Sequence, residues 1–193
     1  MILEISHSDA IDLLGRQQDD SKIVHFLNQL GLSWTDLKVS DKDIMNRFKE
    51  LKDYAIGINF EDIGQLRDVK FHDIGDGPYI LEKITFWGYN KNFSGQANFP
   101  VDGLSFDSSI EDVIAKLGPP SKRSDDATRP IQWLREGYKL VIQWTEDPRK
   151  IRNITYWLTD LEEKSKAFRG GWAGGSREHL WKHFPCSQSS ARF

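Results

Sequence analysis

His179, His183 and Cys186 are residue types that bind metal, and they are the first place to look for chemistry. The histidines stand four apart, one helical turn, with Cys186 just beyond, so all three could meet one ion. Leu180-Trp181-Lys182 fills the space where a zinc-protease helix carries Glu, and Glu178 is the one carboxylate close by. The plain reading is two surface histidines on an amphipathic tail, and neither metal nor cofactor is assigned. A nucleophile arrangement cannot be assembled either. Ser105 and Ser108 lie beside a helix start, where capping accounts for them. Gly170-Gly-Trp-Ala-Gly-Gly175 lacks the preceding strand and the Lys-Ser/Thr pair of a phosphate loop. The chain therefore does not read as an enzyme.

The remaining chemistry is that of binding. Glu61-Asp62 and Glu146-Asp147 fall at corresponding places in the two halves of the chain. As acidic tips they could enter a basic active site in place of phosphate. The simpler account is that acidic residues favour exposed turns. A second set comes from strand alternation. If Ile56, Ile58 and Phe60 point inward, then Ala55, Gly57 and Asn59 point outward. The same rule turns Lys139, Val141 and Gln143 outward, with Asn153, Thr155 and Trp157, and with Thr85, Trp87 and Tyr89. An open face of amides and small residues set among Trp87, Tyr89 and Trp157 suits a protein-binding surface, where Trp and Tyr carry much of the binding energy.

The elements that would position these residues recur. Tyr138-Lys-Leu-Val-Ile-Gln-Trp144, a turn and Ile151-Arg-Asn-Ile-Thr-Tyr156 make a hairpin. Tyr54-Ala-Ile-Gly-Ile-Asn-Phe60, a turn and Leu66-Arg-Asp-Val-Lys-Phe71 repeat it, pairing Asn59 with Gln143 and Arg67 with Arg152. A helix precedes each copy. Ser21 caps one over Ile23, Phe26, Leu27 and Leu30, ending at Gly31; Ser108 and Glu111 have capping-box spacing before Ile110, Val113, Ile114 and Leu117, ending at Gly118-Pro119-Pro120. Two elements matching in order and spacing point to internal duplication.

Between helix and hairpin the halves differ. Trp34 to Lys52 has helical spacing through Ile44, Met45 and Phe48, whereas Ile131 to Arg135 reads as a strand. Tyr79 to Tyr89 alternates as a further strand. The expected parts are a first module at 1–95, a second at 96–163 and a basic, Gly-hinged tail at 164–193.

Charge narrows the partners. The formal charge of −3 hides a body, residues 1–163, with 20 Lys and Arg against 28 Asp and Glu, and a tail with six against one. An acidic body argues against sequence-independent nucleic-acid binding and is compatible with a basic protein partner. One cysteine excludes an internal disulfide framework. No apolar run approaches the roughly 20 residues of a membrane span, and the start of the chain has no secretory pattern. The expected compartment is the cytoplasm.

Gly103-Leu-Ser-Phe-Asp-Ser-Ser-Ile-Glu-Asp-Val-Ile-Ala-Lys-Leu-Gly-Pro-Pro120, then Trp133 and the hairpin, resembles the small module of the SmpA/OmlA-type outer-membrane-assembly lipoproteins and of β-lactamase inhibitor protein. The resemblance covers residues 101–158 and, more loosely, 12–71. It implies an α+β fold of two tandem helix-plus-antiparallel-sheet modules, with the helices packed on one sheet face. A cytosolic, acidic chain of this size without catalytic residues also resembles immunity proteins. That likeness implies an inhibitor that binds a cognate bacterial toxin domain, a basic nuclease being one kind, through Trp87, Tyr89, Trp157, Asn59 and Gln143 with Glu61, Asp62, Glu146 and Asp147 at the tips. A homodimeric adaptor is the alternative, and a metal-binding protein using the His/Cys cluster a more distant one.

Overall fold

The computed structural model describes residues 4–39, 46–64, 75, 77–89, 92–93, 97–123, 130–147 and 150–159. Alternating apolar residues build one antiparallel sheet from seven strands: β1 (Lys38–Val39), β2 (Asn46–Leu51), β3 (Ile56–Asp62), β4 (Tyr79–Trp87), β5 (Ile131–Arg135), β6 (Tyr138–Trp144) and β7 (Ile151–Leu158). Their spatial order is β1-β2-β3-β4-β7-β6-β5. Burial follows the period-two rule. Ile56, Ile58 and Phe60 on β3, Leu140, Ile142 and Trp144 on β6, and Ile154, Tyr156 and Leu158 on β7 are all buried, with partly exposed residues between them.

The buried face is covered by α1 (His7–Leu13), α2 (Ser21–Gln29), a 3-10 turn (Trp34–Asp36) and α3 (Ile110–Leu117). Ala10 and Leu13 of α1, Ile23, Phe26 and Leu27 of α2, and Ile110 and Val113 of α3 join the strands in one core. The α3 start lies one residue later than the spacing predicts. Ser109 and Asp112 form the capping box, while the Ser108 hydroxyl accepts from the Ser105 N–H at 2.9 Å. Both Ser-x-x-acid pairs exist in Ser-Ser-Ile-Glu-Asp, and the later one starts the helix on the buried Ile110. Gly118 ends α3 at φ 80°, a left-handed conformation that favours glycine. Among the described residues no helix is long and apolar enough to cross a membrane.

Two tandem modules are not what forms. One sheet runs without a break across the expected boundary at 95/96, and it outweighs the short helices. Its seam is β4 against β7, from Lys83↔Trp157 to Trp87↔Asn153. The Thr85 and Thr155 hydroxyls meet across that seam at 3.1 Å. The physical cause is edge satisfaction: each meander would otherwise leave a long row of unpaired backbone groups, and each supplies what the other lacks.

The first hairpin is corrected as well. β3 is flanked by β2 and β4, so both its edges are taken, and Leu66–Phe71 lie outside the described residues. Nor is Trp34–Lys52 a helix. It holds the 3-10 turn, β1 and β2, with Phe48 on a strand and 38% exposed; Ile44 and Met45 lie outside the described residues. The tail at 164–193 does too.

His7 ties α1 to the sheet. Its Nδ1 is 2.7 Å from the hydroxyl of the buried Tyr156, and its ring stands edge-on to Tyr156 and Tyr138. Burial, then the Arg135 charge, lower its pKa from the ordinary 6.5, opposed by Asp102. The unfolded chain therefore binds a proton more readily than the folded one. The contribution of His7 to stability is full above about pH 6.5 and declines as the pH falls below it. Urea unfolding of the wild type and of His7→Gln should give a stability difference that shrinks from pH 7.5 to pH 5. A pH-independent difference would contradict the half-buried neutral imidazole.

Candidate functional site

Each helix contact reaches the same side of the sheet. His7 meets Tyr156, Trp133 Nε1 donates to the Gly118 carbonyl at 2.9 Å, and Trp144 Nε1 donates to the Ser108 carbonyl at 3.4 Å. The opposite side is left as a face made of three rows across the strands. Phe48, Asn59, Lys83, Trp157 and Lys139 form the first; Glu50, Gly57, Thr85, Thr155 and Val141 the second; Trp87, Asn153 and Gln143 the third. The middle row is small, so the outer rows rise as walls around a groove of about 400 Å³. Its floor is Gly57, Thr85, Thr155 and Val141, with Trp157 on one side and Trp87 on the other.

A β-bulge shapes one wall. Asn59 pairs with Lys83 but Phe60 pairs with Leu81, so Glu82 is an extra residue of β4. The bulge turns the Glu82 carboxylate toward the groove side, where it is 7% exposed. It accepts from Asn59 Nδ2 at 2.7 Å and from Trp157 Nε1 at 2.5 Å. Strict alternation from Ile84 points Glu82 into the core, so pattern reasoning missed it. Trp157 is also flanked by cations, with Lys139 Nζ 3.7 Å and Lys83 Nζ 4.7 Å from the ring centroid. Neither lysine has an ion-pair partner among the described residues.

On the other wall Trp87 stacks on Phe93 with centroids 5.1 Å apart. A Cβ built on Gly57 would lie 3.4 Å from Trp87 Nε1, so the indole nitrogen rests against the glycine. That N–H is buried and has no hydrogen-bond partner among the described residues. Such an orphan costs about 1–3 kcal/mol.

The residues expected on the open face and at the tips divide four ways. Asn59, Trp87, Trp157 and Gln143 share the open face, Gln143 accepting from Asn153 Nδ2 at 3.3 Å. Tyr89 lies past the end of β4, where its hydroxyl donates to Asp107 Oδ1 at 2.5 Å, and it does not line the groove. Ala55 is buried in the turn before β3, at φ 51°. The acidic pairs do not act together. Strand pairing puts Glu61 and Asp62 beside Ile80 and Tyr79, at one end of β4, whereas Glu146 and Asp147 follow β6 beyond the opposite end. Asp62 is not a tip at all: it is 1% exposed and accepts the backbone N–H groups of Gly64, Gly75 and Gly77 at 2.8, 3.2 and 3.0 Å. Glu61 is buried beside it, while Glu146 is exposed at the β6–β7 turn.

Among the described residues no three His, Cys, Asp or Glu side chains group as metal ligands. His179, His183 and Cys186 lie outside them. Comparison of the chain with protein-family models, with curated proteins and with solved structures finds no match.

Proposed function

We propose that this protein is a non-catalytic, immunity-type inhibitor that docks on a bacterial toxin domain through the open face of its sheet and covers that domain's working surface. The observation that supports the reading is the groove between Trp87 and Trp157. Two large aromatic side chains stand over a floor of small ones, on the face opposite the helices. Aromatic anchors around a shallow depression are the usual source of binding energy in a protein interface. Mimicry of phosphate by paired acidic tips drops out of the proposal, because those pairs lie at opposite ends of the sheet and Asp62 is consumed by backbone donors. Occlusion by the face itself remains.

The test is co-purification with the product of the adjacent upstream gene. A one-to-one complex is expected, and Thr155→Trp, which fills the groove floor, should weaken it at least tenfold, about 1.4 kcal/mol. Circular dichroism of the variant should match the wild type. A complex indifferent to Thr155→Trp, or no complex at all, would overturn the reading. Light scattering on the isolated chain separates it from the homodimer, which would appear at twice the mass.

A further inference from the structure

Resting on the docking role proposed for this face, we infer that the open face of the sheet takes an acidic segment of its protein partner, laid along the row formed by Lys83, Trp157 and Lys139 beside the groove. The charge of the body points the other way. With 28 acidic against 20 basic residues in positions 1–163, the molecule as a whole favours basic partners. The row reverses that sign locally. Lys83 and Lys139 stand on either side of Trp157 without an ion-pair partner among the described residues. The acid beside the row, Glu82 at the bulge, is buried and held by two neutral donors, Asn59 and Trp157. Glu50 is exposed, but it belongs to β2, at the far end of the floor from Lys139.

The dimensions fit a peptide. Lys83 and Lys139 are two strands apart, about 10 Å at the usual strand spacing. Acidic side chains at alternate positions of an extended segment stand about 7 Å apart on one face, within reach of two flexible lysine stems. The Trp157 ring stands between the two ammonium groups, which lie 4.7 and 3.7 Å from its centroid, and holds them on the same row. A nucleic-acid strand is also anionic and stacks on Trp. Two lysines in an acidic body, however, neutralise few phosphates and leave the rest of a polyanion repelled.

Selection of a random-peptide display library against the full chain tests the inference. Enriched peptides should share Asp or Glu, and their affinity should fall at least tenfold on Lys83→Glu/Lys139→Glu. Replacing the peptide's acids by Lys should restore binding to that variant. Lys139→Glu alone serves as a second variant if the double change disturbs the fold. No enrichment, a neutral or basic consensus, or an affinity unmoved by either variant would overturn the inference. So would a thymidine homopolymer that binds the row more tightly than the peptides at near-physiological salt. The two proposals fail separately. Acidic peptides that bind through Thr155 and the lysines, with an upstream gene product that does not bind, sink the inhibitor role alone. A gene product blocked by Thr155→Trp but indifferent to the lysine changes sinks only the acidic-segment inference.

Discussion

Trp133→Ala is expected to lower stability by about 3–5 kcal/mol, the range for emptying a fully buried aromatic site. Trp133 is 0% exposed although it sits on β5, the last strand of the sheet. Its indole fills the space beneath α3, and its Nε1 donates to the carbonyl of Gly118, the residue that ends that helix. Truncation therefore removes a large apolar contact and a helix-terminal hydrogen bond together. Trp133→Phe keeps most of the contact and loses the donor, so its cost should be clearly smaller. Urea unfolding measures both, as a lower midpoint at an unchanged slope. A loss under 1 kcal/mol for the alanine variant would mean that β5 and α3 do not share this core.

Asp62→Ala comes next, at about 3 kcal/mol. Three backbone donors, of Gly64, Gly75 and Gly77, converge on one buried carboxylate, and hydrogen bonds to a charged acceptor are worth about 1.5–3 kcal/mol each. The full sum is not expected, because part of the loop can turn its freed N–H groups to water. Asp62→Asn keeps one acceptor oxygen but turns an amide donor toward other donors, so it should fall between wild type and alanine. Glu146→Ala is the control: exposed at the β6–β7 turn, it should stay within about 0.5 kcal/mol of wild type. If Asp62→Ala left stability intact, the three backbone donors would not depend on this carboxylate for their partner.

This contrast shows what local pattern can convey. Glu61-Asp62 and Glu146-Asp147 look alike in sequence, and only the pairing of distant strands separates a buried anchor from an exposed turn. The two amphipathic helices and the β6–β7 hairpin were legible because their periodicity is carried by neighbouring residues. The open face was legible for the same reason: inward Ile154 and Tyr156 fix the outward direction of Thr155 and Trp157. Three features were not. β2 carries Asn46, Lys49 and Glu50, weak strand formers whose place is set by pairing with β3. The bulge at Glu82 breaks the alternation that made β4 readable, and the carboxylate at the heart of the candidate site depends on that break. The pairing of β4 with β7 was hidden for a related reason. Repeated motifs report likeness between segments, not which of them become neighbours.

The seam between β4 and β7 also bears on how the molecule comes into being. Residues 79–87 emerge from the ribosome well before residues 151–158, and until the later stretch arrives the inner edge of β4 has no native neighbour. Joining strands about 70 positions apart makes closure of a long loop an obligatory step, so assembly is slow relative to that of a chain with local contacts. During that interval a bare strand edge is open to pairing with another nascent chain. The ladder that makes a single sheet out of both halves is thus also the place where the nascent chain is most open to mispairing.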